Sequence, residues 1–499
     1  MRILNVKRFL AVTAASFLSL TAICQVGIGT DSVNKSAILQ LESTNKAFLP
    51  PRMNTMQRNQ IANPAAGMLV YNTDSTCVEM YRGVAGWVNL CSFAAKNSIN
   101  SPLYSGSVVV YNPVAVAKTS PKKVFAHMMP WFETPATNSG AWGSHWTMGT
   151  QNPNTTTNGY QQIASFYYPL TGPYASSDTA IIDYQLLLMK LSGIDGVLID
   201  WYGSSNKNDY PSLERNTSAI VSRTARAGLN FALVYEDATL SNFTDKVAQA
   251  KLDMTYAQTN YFSKSNYEKI SGAPLLLTFG PQSLTGSSNW TSAFSVLTTQ
   301  PFFLSYMFNT GAGTAANGQF AWVEQSGTTR LNQFYSSGAA FKMSDAYPGF
   351  NSFYSNGNSQ FNGGPQWTIS ANGIATFQSV LSLALQQDNQ YIQLTTWNDY
   401  GEGTMMEPTD STTGFMNSQS GLAHPQTAIP GFGYANLINL QNYLGVSSLS
   451  QPDLEAVLKL YKLRKTYASD AGKLNQLTQV YYYIVSLQMD KAKALLAQL

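Results

Sequence analysis

Seven apolar runs recur between residues 124 and 397, and stretches with helical periodicity separate several of them. The helical spacing is clearest at residues 184–191 and 216–227. Strands that alternate with helices along one chain form parallel sheets, because each helical crossover returns the chain to the same end of the sheet. The number and rhythm of the runs therefore predict an α/β fold, a (β/α)₈ TIM barrel. The runs cover residues 124–131, 196–202, 231–237, 274–280, 302–308, 340–343 and 392–397.

Acidic or aromatic residues lie at the ends of four of these runs. Because the carboxyl ends of barrel strands face one cleft, residues far apart in sequence should converge there. A structural role, such as a helix cap, is the alternative for any single one of them. The residues are Trp131 after the first run, Asp200, Trp201 and Tyr202 after the second, Tyr235, Glu236 and Asp237 after the third, and Trp397, Asn398 and Asp399 after the last.

The last run leads into a glycine-containing loop with three acids. Asp399, Glu402 and Glu407 lie close together beside Trp397 and Tyr400, in a chain of which only 11% is charged. Glycoside hydrolysis uses two carboxyl groups that flank the scissile bond, and aromatic rings offer an apolar surface to a sugar ring. The cluster therefore favours a site for sugar chemistry, with a solvated acidic turn as the alternative.

The N-terminus has the pattern of a secretory signal peptide. Three basic residues precede an apolar run at residues 9–23, which is too short for a mature membrane span. We expect a signal peptide at residues 1–24, a mature chain from Gln25, and export to the periplasm, the cell surface or the medium. A lipidated Cys24 is the alternative, which the branched residue before it disfavours.

Composition limits the classes of partner and cofactor. Without the three cations of the leader, 27 basic residues balance 27 acidic ones, so no nucleic-acid partner is expected. Cys77 and Cys91 are the cysteines after residue 24, and an oxidising compartment would favour a disulfide between them. Three histidines and no CxxC spacing predict neither a metal site nor a cofactor. The sequence contains no second long apolar segment, so it does not predict a transmembrane span.

Residues 25–93 differ in sequence pattern from the rest of the chain, because they contain short strand-like segments separated by turns. This segment resembles an N-terminal module common on secreted and surface proteins of the Bacteroidetes, and parts of it are similar to phage tail-fibre segments. The resemblance implies a small β-rich module for presentation or oligomerisation, with a spacer as the alternative.

The remaining boundaries follow from composition. Residues 94–121 are expected to form a linker with one strand-like run at residues 108–111, and residues 122–448 to form the barrel. Residues 449–499 are rich in Leu, Lys and Ala with helical periodicity, which predicts a pair of helices that pack on the barrel.

Several segments of the barrel region resemble glycoside hydrolase families 71 and 99. Residues 397–402, WNDYGE, match the motif of family 71, and residues 403–408, GTMMEP, are similar to a loop of family 99. The resemblance covers roughly residues 124–448, with further blocks at residues 127–132, 143–146, 195–202, 234–237 and 346–350. It implies a barrel hydrolase of polysaccharide or glycan with α-linkages, such as an endo-α-mannanase or an α-1,3-glucanase.

Within this resemblance the catalytic carboxyl pair falls on Asp399 and Glu402. Glu402 would be the general acid, which requires a raised pKa, and Asp399 would be the base. Family 99 enzymes have Glu at the first position, whereas this chain has the shorter Asp, as in family 71. Both a retaining route through the sugar 2-hydroxyl and direct inversion by water therefore remain open.

The other candidates are expected to bind the sugar. Glu236 and Asp200 would hydrogen-bond hydroxyl groups, with a salt bridge or a structural acid as the alternatives. His127 and His145 would do the same, with a satisfied buried histidine as the alternative. Glu407 is expected to shape the loop. The remaining candidates around the substrate are Trp131, Trp146, Trp201, Tyr202, Tyr235, Trp397, Asn398 and Tyr400, of which any ring could instead be ordinary core.

A second hypothesis belongs to a different functional class. A carbohydrate-binding or adhesion protein could use the same barrel scaffold without catalysis, with the N-terminal module for attachment. The presence of both acids, Asp399 and Glu402, favours the enzyme.

Overall fold

The structure, a computed structural model, describes residues 26–83, 86–91, 103–412, 415 and 431–499. The chain divides into two compact units, Met1–Ser101 and Pro102–Leu499. The expected signal peptide, residues 1–24, lies outside the described residues, as do residues 94–102 of the expected linker. None of the helices in the described ranges is long and apolar enough to cross a membrane.

The N-terminal unit is rich in β-structure, as predicted. Strands β1 (Val26–Ile28) and β2 (Leu39–Leu41) form a parallel pair. A four-stranded sheet contains β3 (Arg52–Met53), then, after helix α1 (Thr55–Asn59), β4 (Leu69–Asn72), β5 (Cys77–Tyr81) and β6 (Trp87–Asn89). Cys77 and Cys91 form a disulfide with their Cα atoms 5.9 Å apart. The buried Glu79 accepts hydrogen bonds from Arg58, Asn72 and Ser75, which holds α1 against the sheet.

The second unit alternates strands and helices. Its first half contains β7 (Lys123–Met128), α2 (Ser144–Thr147), β8 (Thr156–Thr157), β9 (Tyr160–Gln161), α3 (Thr179–Leu191), β10 (Gly196–Trp201), α4 (Tyr210–Ala227), β11 (Asn230–Tyr235), α5 (Lys246–Ala257), β12 (Lys269–Ile270) and β13 (Ala273–Thr278). Its second half contains α6 (Ser287–Phe294), β14 (Phe302–Tyr306), β15 (Gly318–Phe320), α7 (Thr328–Tyr335), β16 (Lys342–Ala346), β17 (Phe350–Asn351), β18 (Thr368–Ile369), α8 (Ala375–Leu385), β19 (Tyr391–Leu394), α9 (Ala435–Leu444), α10 (Gln451–Thr466), α11 (Ala471–Val485) and α12 (Met489–Leu496).

Eight parallel strands of this unit close into a barrel. Their order is β7, β10, β11, β13, β14, β15, β16 and β19, and β19 pairs with β7 to complete the ring. Every residue of β10 is buried, which is expected where helices cover the outside and side chains fill the inside. The predicted (β/α)₈ fold is therefore confirmed.

The structure differs from the predicted elements at three places. The eighth strand, β15, was missed because it has only three residues, one of them Gly318 and one the polar Gln319. Residues 108–111 are not a strand; the Val109 amide donates to Gln479 on α11 at 2.7 Å, and the Val114 amide donates to Val485 at 2.9 Å. The C-terminal region contains three helices, α10 to α12, rather than a pair.

A buried ion cluster joins the C-terminal helices to the barrel helices. Asp183 on α3 has a side chain that is 1% exposed and accepts two hydrogen bonds from Arg223 on α4, at 2.6 and 2.7 Å. Arg464 on α10 donates to the same carboxylate at 2.7 Å. One carboxylate thus compensates two guanidinium groups on two different helices, and all three helices depend on it.

We expect Asp183→Asn to lower the free energy of unfolding of the barrel unit by roughly 3 kcal/mol, because it leaves two partly buried guanidinium groups without a counter-charge. Urea unfolding of the full chain measures the change. Lys465→Gln is the matched control, since it removes an exposed ion pair with Asp178 between the same two helices, α10 and α3. It should cost about 1 kcal/mol or less. Equal losses in the two variants would contradict the importance of the buried cluster.

Candidate active site

Four carboxyl groups converge at the carboxyl end of the barrel. Asp200 lies near the end of β10 and Glu236 directly follows β11, while Asp399 and Glu402 follow β19. Asp200 hydrogen-bonds Glu236 and lies close enough to Asp399 for that charge to raise its pKa. The structure therefore brings together acids that are separated by as many as two hundred positions in the chain.

The loop after β19 is held by backbone hydrogen bonds. The Trp397 amide donates to the His127 carbonyl at 2.6 Å, which ties the loop to the end of β7. Two further bonds cross the loop. The Thr396 amide donates to the Thr404 carbonyl at 2.8 Å, and the Glu407 amide donates to the Trp397 carbonyl at 2.8 Å. These bonds make a compact loop of residues 396–407.

One side chain and one glycine fix the shape of this loop. Asn398 clamps the Met129 backbone, since its Oδ1 accepts from the Met129 amide at 2.8 Å and its Nδ2 donates to the Met129 carbonyl at 3.0 Å. Gly403 has φ of +66°, and a Cβ there would lie 2.8 Å from the Asn351 carbonyl oxygen. Any other residue at this position would be strained and crowded.

Glu407 holds the far end of the loop from inside the protein. It is buried and accepts hydrogen bonds from Tyr174 at 2.7 Å, Gln185 at 3.2 Å and Tyr400 at 3.1 Å. Burial raises the pKa of its carboxyl group to about 7. With hydrogen-bond donors around it, Glu407 is placed to shape the loop, as expected from its position before Pro408.

Asp399 and Glu402 form a closely linked pair. The Glu402 amide donates to Asp399 Oδ1 at 3.0 Å, and the Asp399 amide donates to Thr396 Oγ1 at 2.8 Å. Burial raises the pKa of Asp399 to about 7. Burial and the charge of Asp399 raise the pKa of Glu402 well above its ordinary value, although the Tyr354 hydroxyl hydrogen-bonds it. Burial therefore favours the protonated form of both carboxyl groups, and the charge of Asp399 favours it further for Glu402.

Asp200 and Glu236 form a second linked pair that faces the first. Burial raises the pKa of Asp200 to about 7, despite hydrogen bonds from Glu236 and Tyr202 that favour its ionised form. Burial and the Asp200 charge raise the pKa of Glu236 well above its ordinary value. A carboxylate and a carboxylic acid can share one hydrogen bond in this way, which leaves their other carboxyl oxygens as acceptors for a sugar hydroxyl.

Some of the expected aromatic candidates lie at the open edge of the site. Trp131 is partly exposed and stacks on the His145 ring, with the ring centroids 4.1 Å apart and an interplanar angle of 9°. Burial lowers the pKa of His145 to about 3, so this imidazole is neutral. Tyr202 is also partly exposed and hydrogen-bonds Asp200. Trp131 and Tyr202 can therefore contact a ligand.

Other expected sugar platforms are fully buried, so their ring faces cannot stack on a sugar in this structure. Trp201 instead donates from Nε1 to Glu214 at 2.6 Å, and Tyr235 donates to Asp253 at 2.6 Å. Both rings are buried between the barrel strands and the outer helices. The fully buried aromatic candidates are Trp146, Trp201, Tyr235, Trp397 and Tyr400, and Asn398 is buried with them.

His127 lies inside the barrel rather than at its surface. Burial lowers the pKa of its ring to about 3, although Gln393 hydrogen-bonds it. Its ring meets the edge of Trp322 at a centroid distance of 4.8 Å. His127 therefore supports Trp322 and does not reach a ligand directly.

The sequence interpretation missed four aromatic residues at the barrel mouth. Phe279 and Tyr306 come from runs that were identified as strands, so their positions near strand ends were a usable signal. Trp322 follows the missed strand β15, and Tyr354 lies between β17 and β18, where no pattern indicated a site residue. The buried Asp345 of β16, which accepts from Thr395 Oγ1 at 2.7 Å, was also missed, although it follows the run at residues 340–343.

A metal centre is not evident in the part of the chain that the structure describes. Among those residues no group of three or more His, Cys, Asp or Glu side chains is placed to hold a metal ion.

Comparisons with known proteins concern both units. Residues 27–102 match a family described as a phage tail like trimerisation region. No curated protein matches the chain.

Solved structures are similar to this chain at low sequence identity. The GH99 endo-alpha-mannosidase from Bacteroides thetaiotaomicron covers 65% of this chain and 98% of its own, with 15% identity and a TM-score of 0.48. A structure described as a glycoside hydrolase-like protein covers 71% of this chain and 99% of its own, with 14% identity and a TM-score of 0.46. At these values the roles of the residues must be argued from the site itself.

We expect Asp200→Asn to stabilise the protein increasingly as pH rises. The wild-type folded state holds a proton on Asp200 up to a pKa of about 7. An unfolded Asp loses its proton near pH 4, so the wild-type chain loses stability between roughly pH 4 and 7. An amide has no such loss. The melting temperature of the variant relative to wild type should therefore be higher at pH 8 than at pH 4.

Thermal unfolding at the two pH values measures this difference. Glu455→Gln on the exposed face of α10 is the matched control, and its melting temperature relative to wild type should change little between them. A pH-independent effect of Asp200→Asn would show that Asp200 is not held in its protonated form.

Proposed function

We propose that the chain is an exported glycoside hydrolase that cleaves α-linked polysaccharide or glycan. The observation that carries the proposal is the linked pair Asp399 and Glu402, with raised pKa values, in a barrel mouth edged by partly exposed aromatic rings. An acid that retains its proton beside a group that ionises near neutral pH is what this hydrolysis requires.

In this proposal Glu402 is the general acid. It transfers its proton to the glycosidic oxygen as the bond between that oxygen and the anomeric carbon breaks. Water supplies the hydroxyl group that the anomeric carbon gains, and the remaining proton of that water passes to the carboxylate pair. Asp399 is the base, and its fixed hydrogen bonds to the Glu402 and Gly401 amides keep it oriented. The overall reaction consumes one water and leaves both carboxyl groups in their initial states.

The substrate class rests on the groups around this pair. Asp200 and Glu236 provide acceptor oxygens for sugar hydroxyl groups, and Trp131 offers an apolar face. The resemblance of residues 397–408 to families 71 and 99 directs the proposal to α-mannan or α-1,3-glucan, and the similar solved enzyme from Bacteroides thetaiotaomicron is described as an endo-alpha-mannosidase. The leader-like residues 1–24 and the Cys77–Cys91 disulfide support export.

Asp399→Asn and Glu402→Gln should each lower kcat by about two to four orders of magnitude, because each removes a proton-transfer group. The measurement is release of reducing ends from yeast α-mannan and from α-1,3-glucan. For the wild-type enzyme we expect a bell-shaped pH profile, which rises as Asp399 ionises near a pKa of about 7 and falls as Glu402 loses its proton.

Asp388→Asn is the control for these variants. It changes an exposed acid in the turn that precedes β19, at the opposite end of the same strand, and should retain wild-type activity. Oligosaccharide binding without any reducing-end release by the wild-type protein would favour the carbohydrate-binding alternative. Full activity in Asp399→Asn or Glu402→Gln would refute the assigned roles.

We also propose that the N-terminal unit assembles three copies of the chain. Residues 27–102 match a phage tail like trimerisation region, and this unit leaves many large apolar side chains exposed. Phe48 and Leu49 are 63% and 69% exposed, and both strands of the β1–β2 pair carry exposed apolar residues. An isolated two-stranded pair is marginally stable, so burial against further copies would supply the stabilisation that it lacks.

The full chain should elute with three times the monomer mass in light scattering coupled to size-exclusion chromatography. The double change Phe48→Asp and Leu49→Asp should produce monomers, because two carboxylates cannot be buried without partners. Gln60→Asp adds a charge at an exposed polar position of the same unit and should leave the trimer intact. A monomeric wild-type chain would exclude this role for the unit.

A further inference from the structure

Three aromatic side chains form a continuous wall on the side of the barrel mouth opposite Asp200. Phe279, Tyr306 and Trp322 lie at the ends of the consecutive strands β13, β14 and β15. Phe279 is central, with its ring centroid 4.8 Å from Trp322 and 5.2 Å from Tyr306, and both contacts are edge-to-face. We refer to these three residues as the aromatic wall.

Neighbouring rings pack against the aromatic wall, while two of its three side chains remain partly exposed. His127 meets Trp322 from inside the barrel at 4.8 Å, and Phe320 packs against Tyr306 at 5.8 Å. Phe279 and Tyr306 are nevertheless partly exposed. A rigid apolar surface that remains accessible can bind a flat apolar face with little loss of side-chain entropy.

A polar rim lies beside the aromatic wall. Tyr306 donates to Glu324 Oε1 at 3.3 Å, and Arg330 Nε donates to Glu324 Oε2 at 2.8 Å. The Arg330 guanidinium lies 3.8 Å from the ring centroid of Phe308. Apolar rings next to hydrogen-bonding groups match a pyranose, which has an apolar face and a ring of hydroxyl groups.

Tyr306 of the aromatic wall lies within electrostatic reach of Glu402. Burial, followed by the charges of Glu324, Asp345 and Glu402, raises the pKa of the Tyr306 phenol. Asp200, by contrast, lies near Asp399 and hydrogen-bonds Glu236 and Tyr202. Around the ring of strands, β16 lies between the aromatic wall and β19, whereas β7 lies between the second acid pair and β19. The aromatic wall and the second acid pair therefore approach the catalytic loop from different sides.

We propose that Phe279, Tyr306 and Trp322, with Glu324 at the rim, form the subsite that binds the sugar on the leaving-group side of the scissile bond. This inference rests on the proposed hydrolase function and on Glu402 as its general acid. The general acid must approach the glycosidic oxygen, which stays with the leaving sugar after cleavage. The sugar ring that carries this oxygen is therefore the one next to Glu402 and the aromatic wall.

The test compares two substrates that differ only in the leaving group. Phe279→Leu retains apolar volume and removes the central aromatic face. For α-1,6-mannan and α-1,3-glucan oligosaccharides, its kcat/KM should fall roughly three- to tenfold, the range expected for one lost aromatic contact. For the corresponding disaccharide α-fluoride, whose leaving group is fluoride, kcat/KM should stay within about twofold, since no sugar occupies the proposed subsite.

Two further variants define the result. Phe279→Tyr restores an aromatic face and should restore oligosaccharide hydrolysis, whereas Tyr443→Phe, on the exposed side of α9, should affect neither substrate. Equal losses of Phe279→Leu on oligosaccharide and fluoride would indicate a structural role and overturn the proposal. No loss on either substrate would overturn it as well.

Binding separates this proposal from the proposed activity. Calorimetry with the same oligosaccharides uses wild type and Phe279→Leu, each also in an Asp399→Asn background. If wild type hydrolyses nothing but binds oligosaccharide, and Phe279→Leu weakens that binding, the hydrolase proposal fails while the sugar-binding surface stands. If no oligosaccharide binds, or if Phe279→Leu binds as wild type does, the subsite is refuted.

Discussion

The clamp between Asn398 and the Met129 backbone determines most of the geometry at the barrel mouth. Its two hydrogen bonds join the loop after the last strand, β19, to the residues after the first strand, β7. The bond from the Trp397 amide to the His127 carbonyl lies beside it. Asp399 follows Asn398 directly in the chain. The contacts that join the ends of β19 and β7 therefore also set the position of the proposed base.

Burial gives the site its electrostatic character. The acids Asp200, Glu236, Asp399 and Glu402 are shifted toward their protonated forms mainly by burial, and their mutual charges add to that effect. Elsewhere in the protein, buried acids such as Asp183 and Glu79 are compensated by arginine. The contrast separates carboxyl groups that stabilise the fold from carboxyl groups whose protons are available for chemistry.

The fold could be predicted from the sequence because buried parallel strands are continuous apolar runs. Seven of eight barrel strands were visible in this way, and β15 was not, since Gly318–Phe320 is too short to produce a pattern. The acids at the mouth were visible because Asp399 and Glu402 directly follow such a run. Tyr354 and Trp322 were not, because one lies in a long loop and the other follows the strand that was missed.

Burial of the aromatic candidates could not be read from sequence for a different reason. Trp201 and Tyr235 lie at the ends of their strands, just as Trp131 lies shortly after its own. The local backbone conformation decides whether such a ring faces the cleft or the outer helices. Hydrogen-bond acceptors such as Glu214, for Trp201, and Asp253, for Tyr235, hold the ring on the outer side. These partners are distant in sequence, and no local pattern identifies them.

The shared carboxylate of Asp183 also has a consequence for the time course of biosynthesis. Arg464 lies 281 residues after Asp183. At a synthesis rate of about 5–20 residues per second, the ribosome needs roughly a quarter of a minute to a minute to make that stretch. Arg223 is synthesised 40 residues after Asp183, whereas the contact with Arg464 can form only after α10 has been made.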